Sequence, residues 1–312
     1  MKIQKLTDKD RWDRFLIKNK ASFTQSIDWG KLKEKNQRVG RLEAKKEGEL
    51  VGVCQFLEEE NPFGEYFYIP YGPVGQSVEI RDELLKRVAD IGKKEGKTFV
   101  KVEPRKEVGV GEESKHRIQP QKTLVRDISN NKEDILNSFE EGTRYSVRYS
   151  GRKGVEIKCG KNDEDLDAFF QLLNKTEDRQ DFKSFSEDYF RELLATINSD
   201  LFLALSKEGE VVASTIFGYF GKMATSLHSA FDYEKRKLRA TSLIRYEAIL
   251  EAKKKGCEKF DAWGIDEEKM PGVTKFKKGF GGEEVIYPEG VDLPIESIKY
   301  KAYKAAATII KN

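Results

Sequence analysis

The sequence predicts a mixed α/β fold made of two copies of one domain. Three kinds of element recur in the same order in each half: an acid-capped helix, a β-hairpin, and a longer amphipathic helix that ends in a short strand. With 312 residues, the chain is long enough for two domains, each with its own hydrophobic core. Three matched elements in register are much harder to attribute to chance than one, so we interpret the halves as a duplication.

The hairpins carry the clearest repeat. KEGELVGV at 46–53 recurs as KEGEVVAS at 207–214, and in both an alternating apolar pattern flanks a Glu-Gly turn. Before each hairpin, residues with acidic side chains begin a helix, at 8–19 in the first half and at 163–176 in the second. These segments predict a helix followed by an antiparallel pair of strands in each copy.

The third repeated element follows each hairpin. LLKRVADIGKKEGKTFVKVEP at 84–104 matches LIRYEAILEAKKKGCEKFDAWG at 243–264. Apolar residues at helical spacing predict an amphipathic helix in each, and Gly96 or Gly256 follows its last turn, where the left-handed conformation favours glycine. The apolar residues after each glycine predict a short strand.

The parts outside the repeat complete the predicted organisation. The stretch 105–154 is an addition to the first copy, with a strand at 121–129 and one helix from 131 to about 151. After the second copy, a Pro- and Gly-containing link at 287–294 leads to an amphipathic helix at 295–311, which we expect to pack on the first domain.

From these parts we predict two domain boundaries. The first domain comprises 1–130 together with 295–312, and the second comprises 131–294. The chain is highly charged, 36% against 38% hydrophobic, yet its net charge is only +3. This balance argues neither for nor against a nucleic-acid partner, so any basic site must be local. No run of 18 apolar residues occurs, and we expect a monomer in the cytoplasm.

Cysteine and histidine usage gives no indication of a metal site. Cys54, Cys159 and Cys257 are far apart and odd in number, which is typical of reduced structural thiols. His116 and His228 have no Cys or His partner at metal-ligand spacing. No nucleophile elbow of the form G-x-S-x-G is present. We therefore expect no metal.

The most informative stretch is 261–282, DAWGIDEEKMPGVTKFKKGFGG. We predict that a strand ends near Gly264, that the chain turns a corner at Pro271-Gly272, and that a run of lysines and phenylalanines follows. Glycines allow close backbone approach, and lysines between aromatic residues place cations beside apolar walls, which suits an anionic or carbonyl-bearing substrate. The alternative is a surface turn with solvated lysines.

Four segments resemble the recurring motifs of one family. FTQSIDWGKLK at 23–33, IPYGPV at 69–74, QPQKTLVRDIS at 119–129 and the D-x-W-G-I…F-K-x-x-F-G block at 261–281 occur in the order found in the Fem family (FemABX). Members of that family are aminoacyl-tRNA-dependent peptidyltransferases that add amino acids to the peptidoglycan stem peptide. The resemblance implies tandem duplicated GNAT-like acyltransferase domains, whose element order matches the repeat. No inserted coiled-coil arm is present, because 232–240 leaves no room for one.

The resemblance also implies the catalytic residues. Lys277 of the Phe276-Lys277 pair would stabilise the tetrahedral oxyanion formed during aminoacyl transfer. Phe276 would form an apolar wall beside the 3′ end of the tRNA. Spacing alone does not distinguish Lys277 from Lys275 or Lys278. Glu103 stands at the end of a predicted strand, where relatives often carry an aspartate proposed to take the proton from the attacking amine. A structural carboxylate that caps the following turn is the alternative for Glu103.

The same resemblance implies residues that bind the precursor. Lys33, four residues after Trp29 in the Q-S-x-x-W-x-x-x-K pattern, and Arg179 would hold the diphosphate of the precursor, and Tyr71 would line the substrate site. Lys31 and Lys35 compete with Lys33 for this role, and Arg179 has the alternative of a surface ion pair. A turn aromatic is the alternative for Tyr71.

A basic helical stripe is the candidate tRNA contact. Arg144, Arg148 and Arg152 are spaced at i, i+4 and i+8, with Tyr145 and Tyr149 beside them. Cations with interleaved aromatic rings fit an RNA backbone, whereas a solvated helix face is the alternative.

Together these observations predict an aminoacyltransferase that moves an amino acid from aminoacyl-tRNA to an amine of a UDP-linked or lipid-linked muropeptide, without metal or organic cofactor. A CoA-dependent N-acyltransferase is a second hypothesis, although 236–241 (RKLRAT) lacks the glycines of the usual pyrophosphate-binding turn. A non-catalytic RNA-binding relative is a third, and such a protein would tolerate Lys277→Ala.

Overall fold

A computed structural model describes residues 1–114, 116–160, 162–180 and 184–309, with the backbone alone at 178–180 and 307–309. The chain forms two compact units. The first comprises 1–121 and 286–312, and the second comprises 122–285. Each unit is built on one mixed β-sheet with helices packed against it. None of the described helices combines the length and the apolar composition needed to span a bilayer.

The strands are short to medium in length and divide between the two sheets. In chain order they are β1 (Lys2–Lys5), β2 (Val39–Lys46), β3 (Glu49–Asn61), β4 (Gly64–Pro70), β5 (Val74–Gly75), β6 (Phe99–Glu103), β7 (Glu112–Glu113), β8 (Lys122–Asp127), β9 (Glu156–Gly160), β10 (Ser199–Leu205), β11 (Val211–Phe220), β12 (Met223–Phe231), β13 (Lys259–Gly264), β14 (Glu283–Ile286) and β15 (Val291–Pro294).

The helices connect and cover these strands. They are α1 (Lys9–Lys18), α2 (Ile27–Glu34), α3 (Val78–Lys94), α4 (Lys132–Asn137), α5 (Glu141–Arg152), α6 (Asp163–Gln180), α7 (Glu187–Thr196), α8 (Ala240–Lys254), α9 (Pro271–Lys278) and α10 (Ser297–Ile309), with single 3₁₀ turns at Phe23–Gln25 and Arg236–Leu238.

The sheet of the first unit has the strand order β1-β2-β3-β4-β6-β15-β7, and β5 pairs with β3. Neighbours from β1 to β4 are antiparallel, whereas β4 and β6 are parallel because α3 crosses over between them. Apolar side chains of α3 pack on this sheet and form a core that includes Phe67, Leu84 and Val100. Ser77 caps α3 by accepting a hydrogen bond from the Ile80 N–H, so the sequence fixes the start of this helix locally.

The sheet of the second unit has the order β14-β8-β13-β12-β11-β10-β9. Strands β10, β11 and β12 are antiparallel, and α8 crosses over to β13, which is parallel to β12. The order hairpin, further strand, crossover helix and parallel strand therefore occurs in both units. The two mixed sheets confirm the predicted duplication and the mixed α/β fold class.

The repeated local signals are also found in the structure. Both Glu-Gly turns join antiparallel strands, β2 to β3 and β10 to β11. Gly96 and Gly256 follow the last turns of α3 and α8 with φ values of 70° and 86°, in the left-handed region that glycine adopts without strain.

The structure differs from the predicted elements in two places. The single helix predicted from 131 to 151 is two helices, α4 and α5, because Ser138–Glu140 interrupts it and the Glu140 N–H donates to the Gly279 carbonyl. The predicted corner at Pro271-Gly272 is the start of α9, where Pro271 occupies the first helical position and needs no hydrogen-bond acceptor.

The compact units also divide the chain differently from the predicted boundaries. Strand β8, predicted in the first domain, pairs antiparallel with β13 and belongs to the second unit. Strand β15, predicted in the second domain, pairs antiparallel with β6 and belongs to the first. Helix α10 packs on the first unit as expected: Tyr300 is buried and Tyr303 stacks on Phe99 at 4.7 Å between ring centroids.

Candidate active site

The second unit contains a cavity of about 540 Å³ between β12, β13, α8 and α9. It opens where the two parallel strands part. Their pairing begins at Met223 and Lys259 and ends at Thr225 and Asp261, so β12 and β13 separate beyond that point. Residues from the diverging strands and from both helices line the space. The cavity therefore lies at the end of β13, where the 261–282 motif begins.

Lys277 enters this cavity from α9. Its Nζ donates a hydrogen bond to the Gly264 carbonyl at 2.6 Å, which leaves other N–H bonds of the ammonium available to a ligand. Burial, and secondarily the charge of Arg245, lowers the pKa of Lys277 to about 8, while the charge of Asp261 opposes the shift. The side chain is thus predominantly charged at neutral pH, and it loses its proton as the pH rises through about 8.

The loop before α9 fixes the position of Lys277. The Thr274 hydroxyl accepts from the Asp266 N–H at 2.9 Å and donates to the Asp266 carbonyl at 2.8 Å. The Asp266 carboxylate accepts from the N–H groups of Glu268 and Lys269. These bonds connect the first turn of α9 to the loop that follows β13. The loop thereby holds α9, and with it Lys277, in a fixed position.

The neighbouring lysines differ from Lys277. Lys278 forms ion pairs with Glu267 and Glu284, both at 2.7 Å, and these hydrogen bonds raise its pKa. Lys275 is exposed and does not line the cavity. The structure therefore separates three lysines that spacing could not, and it supports the choice of Lys277.

Phe276 forms part of the cavity wall. Its ring packs against Phe280 at 5.2 Å between centroids and lies 5.1 Å from the guanidinium of Arg245. Trp263, which also lines the cavity, has a φ of 62°, in the left-handed region that such a residue rarely adopts. The conformation coincides with an irregularity in the pairing of β13 with β8 between Asp261 and Gly264, and the Gly264 carbonyl that follows accepts from Lys277.

Sequence reasoning missed Arg245, which also lines the cavity. It lies in α8 and is 5% exposed. The available signal was its position: Arg245 falls three and four residues before Ala248 and Ile249, on an apolar face of α8. A charged residue on such a face indicates a buried polar function more often than a solvated one.

Glu103 lies at the end of β6, where the sequence placed it, but its surroundings favour the structural alternative. The residue is fully buried, and its carboxylate accepts hydrogen bonds from the Tyr68 hydroxyl at 2.6 Å and from the N–H groups of Ile118 at 2.5 Å and Gln119 at 2.8 Å. Both oxygens accept hydrogen bonds, so Glu103 holds the segment around Gln119 in place, as expected of a structural carboxylate.

In the first unit, α2 presents Lys33 and Trp29 together. The Lys33 Nζ lies 5.3 Å from the centroid of the buried Trp29 ring, and burial lowers the pKa of Lys33. Lys31 pairs with Asp28 at 2.6 Å and Lys35 is exposed. Of the three competing lysines, Lys33 is the one whose burial and ring contact suit a ligand site.

Tyr71 follows β4 and is 3% exposed. Its hydroxyl donates to the Pro120 carbonyl at 2.7 Å, and its ring packs against Tyr287 at 5.2 Å and beneath the guanidinium of Arg105 at 5.5 Å. These contacts match the alternative of an aromatic residue that organises a turn. The side chain of Arg179 lies outside the part of the chain that the structure describes.

The predicted arginine stripe is only partly available. Arg144 donates to the carbonyls of Asn137, at 3.0 Å, and Phe139, and so caps the end of α4. Arg148 and Arg152 are exposed. The two tyrosines of the stripe stack on each other at 5.7 Å, and Tyr145 is 49% exposed.

Arg239 extends this surface. Its guanidinium lies 5.0 Å from the Tyr145 ring and 5.5 Å from the Tyr149 ring. The resulting cation–aromatic surface comprises Arg148, Arg152, Arg239, Tyr145 and Tyr149.

The described residues contain no group of three or more His, Cys, Asp or Glu side chains that could hold a metal ion.

The chain is similar in sequence to members of one protein family. The model of the FemAB family matches residues 7–110, 105–208 and 202–308. A lipid II:glycine glycyltransferase of Staphylococcus aureus strain MRSA252 is 27% identical over 213 residues, 60% of this chain and 50% of the relative. The same-named protein of strain USA300 is 28% identical over 183 residues, 51% of this chain and 43% of the relative. The chain thus spans about half the length of the curated relatives it matches.

Solved structures show the same fold. A crystal structure of FemX aligns with a TM-score of 0.85 at 20% identity, over 97% of this chain and all of that one. A tandem GNAT protein from the clavulanic acid biosynthesis pathway aligns with a TM-score of 0.57 at 10% identity, over 93% and 97%. At these identities the likeness establishes the fold alone. The family matches extend through both units, from residue 7 to residue 308, and the chain belongs to the FemAB family.

Proposed function

We propose that this protein transfers an aminoacyl group from aminoacyl-tRNA to an amine of the stem peptide of a peptidoglycan precursor. The observation that carries the proposal is the Lys277 ammonium, fixed by the Gly264 carbonyl inside a cavity walled by Phe276. Family membership and the name of the Staphylococcus aureus relatives, lipid II:glycine glycyltransferase, supply the substrate class. A glycyl group is accordingly the first donor to test.

The proposed reaction needs stabilisation of a developing negative charge. The uncharged amine of the precursor attacks the ester carbonyl of the donor, and the carbonyl oxygen becomes an oxyanion. Lys277 donates a hydrogen bond to this oxygen. The carbon–oxygen bond to the ribose then breaks, the ribose oxygen takes the proton that the amine loses, and an amide remains. A preorganised donor at the oxyanion accelerates such reactions by about 10²–10³-fold.

The surroundings of Lys277 suit this role. The hydrogen bond to Gly264 holds the ammonium in place before substrate binds, so little reorganisation is needed during the reaction. Burial in the cavity strengthens its interaction with an oxyanion, because the local dielectric constant is lower than that of water. Phe276 and Trp263 supply flat apolar walls that fit the sugar and base of a terminal nucleoside.

We assign the precursor to the first unit and the donor to the second. Lys33, held over Trp29, would contact an anionic group of the precursor. The contact of Arg179 with the diphosphate stays a prediction from the family resemblance, since Arg179 belongs to the second unit. The cation–aromatic surface would contact the RNA backbone and exposed bases of the donor. Because Tyr71 is bonded to the Pro120 carbonyl, we expect it to shape the precursor site rather than donate to the ligand.

The test is transfer of radiolabel from charged tRNA. Purified protein is incubated with labelled glycyl-tRNA, and then with a mixed aminoacyl-tRNA pool, in the presence of UDP-linked or lipid-linked muropeptide. We expect label in one muropeptide, with Lys277→Ala reducing the rate about 10²–10³-fold. Lys275→Ala, from the exposed neighbour on the same helix, is the matched control and should transfer at the wild-type rate. No transfer to either acceptor from the pool would refute the proposed function.

A further inference from the structure

The position of Arg245 points to a binding subsite. The guanidinium lies among three aromatic rings, 5.8 Å from the centroid of Phe260, 5.1 Å from that of Phe276 and 5.5 Å from that of Phe280. The side chain is 5% exposed and forms part of the cavity surface. A charge is therefore held in an apolar environment at the wall of the cavity.

The hydrogen-bonding groups of Arg245 are poorly satisfied. Its Nη2 donates to the Ser226 hydroxyl at a long 3.4 Å, and its Nη1 has no partner among the residues that the structure describes. No described carboxylate forms an ion pair with Arg245, and burial is the one cause of its pKa shift. Removing a guanidinium from water is costly unless an anion compensates for it. Burial without such a partner also lowers the pKa of Arg245, to about 10.

The aromatic rings do not supply the missing partner. A ring attracts a cation through its π-face, but the N–H bonds of arginine lie in the plane of the guanidinium and require acceptor oxygens. The three rings thus orient and partly stabilise the charge, while Nη1 still lacks an acceptor.

The rest of the cavity also suits an anion. Its described lining includes no carboxylate, and it presents two cations, Lys277 and Arg245. Hydroxyl groups also line this space, on Thr176, Ser214, Thr215, Ser226, Ser229 and Thr241. Those of Thr176, Ser214 and Thr215 donate to backbone carbonyls.

The chemistry of the donor identifies the anion. In an aminoacyl ester the carboxyl group is consumed by the ester bond, the amino group is neutral or positive, and the ribose and base are uncharged. Phosphodiester groups are the remaining negative charges near the 3′ end. A phosphodiester offers two anionic oxygens, a good match to the fork of N–H bonds in arginine.

We propose that Arg245 forms a phosphate subsite in this cavity and binds the phosphodiester that adjoins the terminal ribose of the donor. The assignment of the phosphate to an RNA donor rests on the proposed function. Coenzyme A carries phosphate in other forms, a pyrophosphate and a phosphomonoester, so the experiment includes it as a second source of phosphate. Arg245 is then a binding residue, distinct in role from Lys277.

Binding of small probes tests the subsite without requiring transfer. The probe is cytidylyl-adenosine, which has one phosphodiester, and the comparison ligand is its uncharged methylphosphonate analogue. Titration calorimetry should show that the wild type binds the phosphodiester at least about tenfold tighter, as expected for a charge-assisted hydrogen bond. Arg245→Gln should bring this ratio close to one. Arg191→Gln, which alters an arginine paired with Asp163 and Asp167 on the surface, should keep the wild-type ratio.

A stability measurement separates binding from a structural role. If Arg245 is retained for a ligand, Arg245→Met should melt at an unchanged or higher temperature in the absence of ligand, because an apolar side chain of similar length replaces an uncompensated charge. It should lose the preference for the phosphodiester as Arg245→Gln does. A large fall in melting temperature for both variants, with the preference retained, would show that Arg245 is structural.

Kinetics with aminoacyl-tRNA give the last discrimination. Arg245→Gln should raise KM for the donor at least about tenfold and change kcat less than about threefold, since the contact exists before and during the reaction. A fall in kcat at constant KM would overturn the phosphodiester assignment and place Arg245 at the oxyanion.

If coenzyme A, and not the RNA probe, binds in an Arg245-dependent way, the phosphate subsite is supported and the tRNA donor is refuted. Normal transfer without any charge preference would refute the subsite and leave the proposed function intact.

Discussion

At the scale of single residues, the candidate site depends on the different environments of chemically similar side chains. Lys275, Lys277 and Lys278 are nearly consecutive, yet the first is exposed, the third is paired with two glutamates, and Lys277 alone lines the cavity. Burial beside Arg245 lowers the pKa of Lys277 to about 8. Two predictions follow from that pKa.

The first concerns the pH profile of transfer. If the charged form of Lys277 stabilises the oxyanion, its contribution is present below pH 8 and falls as the pH rises through about 8. Lys277→Arg keeps its charge across this range and serves as the reference, so the acceptor amine titrates equally in both proteins. The ratio of wild-type to variant kcat/KM should fall about tenfold per pH unit above 8. A ratio that rises with pH would instead indicate that Lys277 acts as a base.

The second concerns stability. The unfolded chain holds the Lys277 proton up to about pH 10.4, whereas the folded protein releases it near 8, so burial of the charge destabilises the fold below pH 8. Lys277→Met should therefore raise the free energy of unfolding at pH 7 by up to about 3 kcal/mol, less the lost hydrogen bond to Gly264. The gain should shrink between pH 8 and 10.4. Urea denaturation at several pH values checks this, and a gain that does not change with pH would contradict it.

At the scale of elements, the motif at 23–33 has a structural role as well as the expected ligand role. The Gln25 amide donates to the Gln55 and Pro70 carbonyls, at 3.1 and 2.9 Å, and its oxygen accepts from the Gln55 N–H at 2.8 Å. Ser26 caps α2 by accepting from the Trp29 N–H. The Q-S pair thus attaches α2 to the sheet, and α2 then presents Trp29 and Lys33.

This arrangement predicts a stability effect at a distance from Lys33. Gln25→Ala should lower the free energy of unfolding by about 2–4 kcal/mol, because it leaves buried backbone groups without partners. Gln76→Ala, at an exposed glutamine, is the control and should change stability by less than about 0.5 kcal/mol. Denaturant unfolding of the two variants gives the comparison, and equal stabilities would mean that the amide contributes nothing net.

At the scale of the whole molecule, each unit completes its sheet with a strand that lies outside its repeat. Strand β8 pairs with β13 in the second unit, and β15 pairs with β6 in the first. In both cases the added strand is antiparallel and lies on the side of the crossover strand opposite the hairpin. The first unit is therefore discontinuous in the sequence, and its last segment is synthesised after the whole of the second unit.

Removal of 286–312 should consequently destabilise the first unit selectively. The truncation deletes β15 and α10, unpairs one edge of β6 and exposes Phe99, which stacks on Tyr303. Hydrogen exchange should then show loss of protection in β4 and β6, with β10 and β11 protected as in the full chain. Unchanged exchange in β6 would show that the added strand is dispensable.

The sequence by itself determined what depends on neighbours along the chain. Hairpin turns, helix ends at Gly96 and Gly256 and the Phe276-Lys277 motif are local patterns, since turn and cap geometry depends on a few consecutive residues. The duplication is visible as the recurrence of such patterns in the same order. The family followed from the same local motifs.

Tertiary structure decided what depends on residues far apart in the sequence. The burial of Arg245 beside Phe276 and Phe280, the hydrogen bonds of Glu103 with Tyr68 and Gln119, and the exchange of β8 and β15 between the predicted domains arise from packing across the sheet. Burial and hydrogen-bond partners are properties of the folded surroundings, and a residue's neighbours in sequence do not specify them.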